Sequence, residues 1–163
     1  MLADEIARFV VGTRFEHFPP PVVATAKAVV LDTVGCCLGG VHTDLGRTVV
    51  GLCRGAGEGD ATIVGVAGTA SAAEAAFANA VLSNVIDYND TTLDPVGHLS
   101  SEVVPAALAM AEVTGASGRD LLAAVVLGYE VAIRLGRAVA YSPALMRARG
   151  PVSLPTFHVF GAT

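Results

Sequence analysis

Apolar residues Leu2, Ile6, Phe9 and Val10 recur at helical spacing and predict a short first helix that stops at Gly12. Pro19, Pro20 and Pro21 then punctuate the chain, and proline is tolerated in the first turn of the helix that follows. That helix, predicted over Val22 to Leu38 and ended by Gly39 and Gly40, is apolar almost all round, so extensive burial is expected. A third helix is predicted from about Leu45 to Arg54, closed by the glycine-rich turn "GAGEGD". The short β-branched stretch "ATIVG" reads as an extended connector and not as a sheet strand. Ala-rich helical patterns cover Thr69 to Ile86 and Val104 to Thr114, and Ser117 or Gly118 opens another, from Arg119 to about Val139. Gly128 and Gly136 lie inside that last helix at a cost of about 1 kcal/mol each, which points to close helix packing. No fixed-period repeat interrupts this order. The expected fold class is all-α, a helical bundle forming one domain over residues 1–163.

Composition adds a partner to this picture. Apolar residues make up 53% of the 163 positions and charged ones only 15%. So few charges leave part of the surface apolar, and that part is expected to meet another chain or another domain. The net charge is −5 and the ten cationic residues are scattered, without the basic stripe that phosphate binding needs, so nucleic acid is not an expected partner. Lys27 is the one lysine, which confines any lysine chemistry to that position or to another chain. Cys36, Cys37 and Cys53 form no metal-binding or disulfide spacing and read as reduced, buried thiols. Met1 leads straight into an acidic amphipathic segment rather than a signal peptide. No uncharged run reaches membrane-spanning length, because Val29 to Val41 is short and contains Asp32. The expectation is a soluble cytoplasmic protein with no membrane partner and no metal site.

One stretch breaks the apolar pattern. "IDYNDTTLDPVGHLSS" gathers Asp87, Asn89, Asp90, Thr91, Thr92, Asp94 and His98 between two helical segments. If the preceding helix continues, Asp87 and Thr91 share a face at i, i+4. His98 comes after a short loop, just before a helix start marked by Ser100, Ser101 and Pro105. A helix N-terminus presents free N–H groups to a substrate carboxylate. A hydroxyl, a carboxylate and an imidazole beside such a seat can move a proton next to a carboxylate-bearing carbon. The same residue types are also ordinary loop and capping chemistry, so the pattern alone leaves both readings open. His17 and His42 lie in loops and are expected to be exposed. The C-terminal "RARGPVSLPTFHVFGAT" reads as a loop entering a helix that the chain does not contain, as if part of something larger.

The order "LADEIARFVVGTRFEHFPPPVVATAKAVVLDTVGCCLGG", "AFANAVLSNVIDYNDTT", "GHLSSEVVPAALAMAE", "ASGRDLLAAVVLGYEVAIRLGRAV" resembles the N-terminal region of the MmgE/PrpD family. That family includes 2-methylcitrate dehydratase, cis-aconitate decarboxylase and iminodisuccinate epimerase. The resemblance covers essentially the whole chain but only the first part of a typical member. It implies a largely helical first domain, a second α+β domain that this chain lacks, and a homodimer. It also implies cofactor-free proton chemistry on small carboxylate-bearing molecules.

The family's "D-F-D-D-T … H-P-S" pattern falls on Asp87, Thr91 and His98, with Asp90, Ser100 and Ser101 as further candidates for substrate binding. The chain departs from the pattern in having Asn84 for a His, Ala80 for a Gly and Asn89 for an Asp. Read without gaps, Val152 occupies the catalytic His position of the "R-G-[FW]-H" element, and His158 stands where the family has Gly. His158 is therefore a candidate replacement. The expected function is a cofactor-independent lyase or isomerase with Asp87, His98 and His158 as catalytic groups, diverged toward a changed substrate or a cyclisation or isomerisation in a biosynthetic pathway. The expected assembly is a homodimer or a complex with a separate chain supplying the missing domain. The alternative is a non-catalytic helical subunit for binding or dimerisation.

Overall fold

The computed structural model describes residues 1–54, 59–93, 96–140 and 155–163, with backbone alone at positions 96, 139, 140, 155 and 156. It is a helical bundle. The helices are α1 (Leu2–Gly12), α2 (Pro20–Gly40), α3 (Asp44–Arg54), α4 (Ala72–Asn84), α5 (Ser100–Thr114), α6 (Gly118–Ala140) and α7 (Pro155–Ala162). A 3-10 turn at Phe15–His17 joins α1 to α2. Helices α4 and α5 pack on each other at the centre, with α2 against α4, α5 and α6, α3 against α4, and α7 in the angle between α5 and α6.

Local chemistry sets the helix ends. Ser71 Oγ accepts from the Glu74 N–H while the Glu74 carboxylate accepts from the Ser71 N–H, a reciprocal cap that starts α4. Ser117 and Asp120 make the same exchange ahead of α6. Gly115, at φ +63°, closes α5 in the left-handed conformation that glycine adopts freely. The extended stretch after α3 does form strands. β1 (Ala61–Thr62) pairs antiparallel with β2 (Thr69–Ala70), which corrects both the connector reading and the helix start expected at Thr69. The buried Asn79 on α4 holds this hairpin, its Oδ1 accepting from Val64 N at 2.9 Å and its Nδ2 donating to the Thr62 carbonyl at 2.8 Å.

The core runs through Cys37, Val49, Cys53, Ile63, Ala75, Ala78, Leu82 and Ala109. Small residues let the helices approach closely. A Cβ on Gly128 of α6 would lie 2.4 Å from the Gly161 carbonyl oxygen of α7, and a Cβ on Gly161 would lie 2.4 Å from the Gly128 carbonyl oxygen. The two backbones thus touch where the sequence placed a glycine in mid-helix, and α7 corrects the expectation that the C-terminal stretch enters a helix the chain does not contain.

The expected burial of Val22 to Leu38 does not hold. Only a stripe of α2 is covered, at Ala26, Thr33, Cys36, Cys37 and Gly40. Its other side leaves Leu31 at 74% exposed and Leu38 at 47%. A single chain supplies neighbours on one side of α2 only, and the apolar remainder faces outward. With 21 residues, α2 is also long and apolar enough to cross a membrane by length and composition, contrary to the expectation from its charges. In the fold it packs as a bundle helix.

Candidate functional site

The polar stretch lies at the end of α4 and wraps onto the start of α5. Helix α4 stops at Asn84, earlier than the sequence pattern suggested, and Asp87 sits at φ +51° with its N–H donating to the Asn84 carbonyl at 2.9 Å. This is the position where a helix C-terminus ordinarily takes glycine. Among the described residues, Asp87 is the one non-glycine residue in this region of φ. A side chain there costs about 1–2 kcal/mol, although Asp tolerates the conformation better than most. Asp87 and Thr91 therefore do not share a helical face, because the helix has ended before either.

A hairpin brings the next residues together. β3 (Thr92–Leu93) pairs antiparallel with β4 (Val96–Gly97), with Thr92 opposite Gly97 and Leu93 opposite Val96. The same register extended outward by one residue sets Thr91 opposite His98. Their side chains meet, with Thr91 Oγ1 at 3.3 Å from His98 Nδ1, on the exposed side of the loop. His98 Nδ1 also lies 2.7 Å from the main-chain carbonyl oxygen of Asp90. His98 thus contacts the backbone of Asp90 and not its carboxylate.

The Asp90 carboxylate turns inward. Oδ1 accepts from the Ser100 N–H at 2.9 Å and Oδ2 accepts from the Tyr129 hydroxyl at 2.7 Å. The first free N–H of α5, expected to seat a substrate anion, is therefore occupied by the chain's own carboxylate. Ser100 and Ser101 are buried, and Ser101 Oγ donates to the His98 carbonyl at 3.3 Å while accepting from Asn89 Nδ2 at 3.0 Å. Asn89 also donates to Asn84 Oδ1 at 3.2 Å, so two of the family-departing positions bond to each other. Asn89, Asp90, Ser100 and Ser101 form the floor of the loop, while Asn84, Asp87, Thr91 and His98 are exposed.

His158 lies beneath the hairpin. It is buried, and its Nε2 would be 2.7 Å from a Cβ at position 97, so glycine at that position makes room for the ring. His158 Nδ1 is 3.2 Å from Glu102 Oε2, a close charge contact when the ring is protonated, although neither atom completes a hydrogen bond. Val152 and the "RG" element around it lie outside the described residues. His17 and His42 are exposed, as their loops suggested.

Tyr129 was not legible as a site residue. It is a lone phenol in an Ala/Val/Leu helix, and nothing in its neighbours signals a partner 39 positions earlier. It also lines an apolar cleft of about 320 Å³ between α2 and α6, with Val22, Val29, Val125 and Ile133. Among the described lining residues, Tyr129 is the one bonded to the polar loop; Asp87, Thr91 and His98 are exposed instead.

Burial, followed by the nearby Asp90 charge, pushes the Tyr129 hydroxyl well above the ordinary phenol value of 10.0. Burial and the adjacent Cys36 likewise push the Cys37 thiol from 9.0 up to about 12. Both groups hold their protons more tightly folded than unfolded, so the unfolded chain loses them first. Their contribution to stability is therefore fully present below pH 9.0, the ordinary thiol value, and is lost as pH rises toward the folded values. The expected loss per group is at most about 1.4 kcal/mol per pH unit. Melting temperatures taken from pH 8 upward, about one unit below the ordinary thiol value, check this, with Cys37→Ala expected to flatten the early part of the decline.

The chain matches the model of the MmgE/PrpD N-terminal domain over residues 4–158. It is similar to a cis-aconitate decarboxylase-like protein of Aspergillus oryzae (strain ATCC 42149 / RIB 40), with 27% identity over 158 residues covering 91% of this chain and 33% of that protein. The chain thus spans about a third of the length of this relative. A helical bundle matched almost from end to end leads to one conclusion: the chain belongs to the MmgE/PrpD family, as an N-terminal domain of that family.

Proposed function

We propose that this chain carries the proton-transfer part of a cofactor-independent lyase or isomerase acting on small polycarboxylates. The reading rests on one observation above the others: Thr91 and His98 meet at 3.3 Å on the exposed side of a loop anchored beneath by the bonds of Asp90, Asn89 and Ser101. The imidazole of His98 takes a proton from a carbon next to a carboxylate, and the electron pair left behind is delocalised into that carboxylate. Thr91 donates a hydrogen bond to a substrate oxygen, and Asp87, exposed on the same loop at φ +51°, is the second proton-handling group. The intermediate then expels a leaving group or takes the proton back, which gives elimination or isomerisation. His158 contributes from beneath the hairpin. The working form is a cytoplasmic homodimer or a complex with a separate chain that covers the open side of the loop.

Hydrogen–deuterium exchange tests this directly. The chain, incubated in D2O with a panel of small di- and tricarboxylates, is expected to exchange a C–H next to a carboxylate, as followed by proton NMR. No exchange with any member would overturn the catalytic reading. A second reading is favoured by the apolar surface, where Leu31 and Leu38 on α2 and Leu45 and Leu52 on α3 are all exposed. In that reading the chain is a non-catalytic binding or dimerisation subunit, and changes on those four residues disrupt its assembly while His98 is dispensable.

A further inference from the structure

We propose that Tyr129 and Asp90 are positioning residues that fix the tautomer of His98, so that Nδ1 carries the proton and Nε2 presents its lone pair to the open side of the loop. The inference deepens the proposed proton transfer and rests on it for its catalytic meaning, but the tautomer itself is a property of the chain without substrate.

The chain of contacts runs through one residue. The Asp90 side chain is gripped from two directions, by the Tyr129 hydroxyl at 2.7 Å and by the Ser100 N–H at 2.9 Å. Both carboxylate oxygens are engaged, one on α6 and the other on the first turn of α5, so Asp90 is fastened to two helices. Its main-chain carbonyl then faces His98 Nδ1 at 2.7 Å. A carbonyl oxygen can only accept a hydrogen bond, so the nitrogen facing it must bear the hydrogen. In a neutral imidazole this leaves Nε2 as the basic nitrogen. Thr91 Oγ1, 3.3 Å from the same Nδ1, must also act as an acceptor toward it, which frees its own O–H for a substrate oxygen. The Ser101 hydroxyl, donating to the His98 carbonyl at 3.3 Å, ties the His98 backbone to the same helix start.

This arrangement gives Asp90 a role different from substrate binding. An acidic side chain whose two oxygens are both satisfied inside the protein acts on chemistry by orienting the group that touches substrate. Tyr129 is the distal end of the brace. Its loss leaves Asp90 Oδ2 without that donor and loosens the carbonyl that selects the tautomer.

Nitrogen-15 NMR of the full chain labelled at histidine reads the tautomer without any substrate. Spectra are taken at a pH of about 8.5, some two units above the ordinary histidine value, where an unperturbed ring is neutral. An internal contrast is available, because His17 Nδ1 accepts from the Arg14 N–H at 3.1 Å and must therefore carry its proton on Nε2. His98 is expected to show a protonated Nδ1 and an unprotonated Nε2, the reverse of His17. In Tyr129→Phe, the His98 signals are expected to move toward those of a mixture of the two tautomers, while His17 stays unchanged. A wild-type His98 protonated on Nε2, or averaged like free imidazole, would overturn the inference without requiring any variant to fold. An unchanged His98 tautomer in a folded Tyr129→Phe protein would remove Tyr129 from the brace. If the tautomer is as stated but no carboxylate exchanges its proton, the proposed function fails and the positioning stands. If exchange occurs with the opposite tautomer, the reverse holds.

Discussion

His98→Ala is expected to lower carboxylate-dependent proton exchange by about a hundred- to ten-thousand-fold, the usual contribution of a positioned general acid or base. The side chain is exposed, and its Nδ1 contacts are to one carbonyl and one hydroxyl at the edge of the loop, so removal should leave the fold intact. An unchanged melting temperature beside a collapsed exchange rate separates a chemical effect from a structural one. Thr91→Val, which keeps the shape and deletes the hydroxyl, is expected to weaken exchange less. A His98→Ala chain that exchanges as fast as the wild type would transfer the chemistry elsewhere and favour the non-catalytic reading.

Gly128→Ala is expected to cost about 2 kcal/mol of stability, even though alanine is the better helix former by about 1 kcal/mol. The added methyl would meet the Gly161 carbonyl oxygen at 2.4 Å and Val103 Cγ1 at 2.6 Å, and a backbone carbonyl on a packed helix has little room to yield. Either α7 lifts from α6 or both helices shift. The control is Gly51→Ala on α3, where a Cβ meets nothing within 4 Å and the same substitution is expected to stabilise by up to about 1 kcal/mol. Urea unfolding of the two variants gives the opposite signs, and hydrogen exchange along residues 155–162 reports whether α7 is what detaches. Equal effects at the two positions would mean that the α6–α7 contact does not limit stability.

The helical class and the order of the helices were legible because apolar spacing and glycine or serine punctuation are local properties. Gly12 and Gly39–Gly40 stop helices where expected, and Ser117 opens one through a bond to Asp120 three residues on. Burial was less legible. An all-round apolar helix such as α2 says that its faces avoid water somewhere, and not which of them a single chain covers. The site divides along the same line. Asp87, Thr91 and His98 stand out as polar residues in an apolar chain. The end of α4 at Asn84 was hidden, because Val85 and Ile86 continue the apolar pattern while Asp87 takes a backbone conformation that its residue type does not announce. The inward turn of Asp90 was hidden for a different reason, since its partner Tyr129 is remote in sequence. The pairing of Thr91 with His98 depends on a hairpin too short to leave a periodic signal.

That hairpin also sets which length changes the loop can survive. Thr91 and His98 face each other because a fixed number of residues separates them, and side chains alternate faces along a strand. Deleting one residue between the strands would bring Leu99 opposite Thr91 and turn the imidazole away. Changes of two residues, split evenly between the strands, would preserve the pairing and alter only how far the tip extends. Loop length in this part of the chain is thus restricted by parity. Related chains that keep the Thr–His pair across such a hairpin are expected to differ there by even numbers of residues, and an odd difference should coincide with a bulge or with loss of one of the pair.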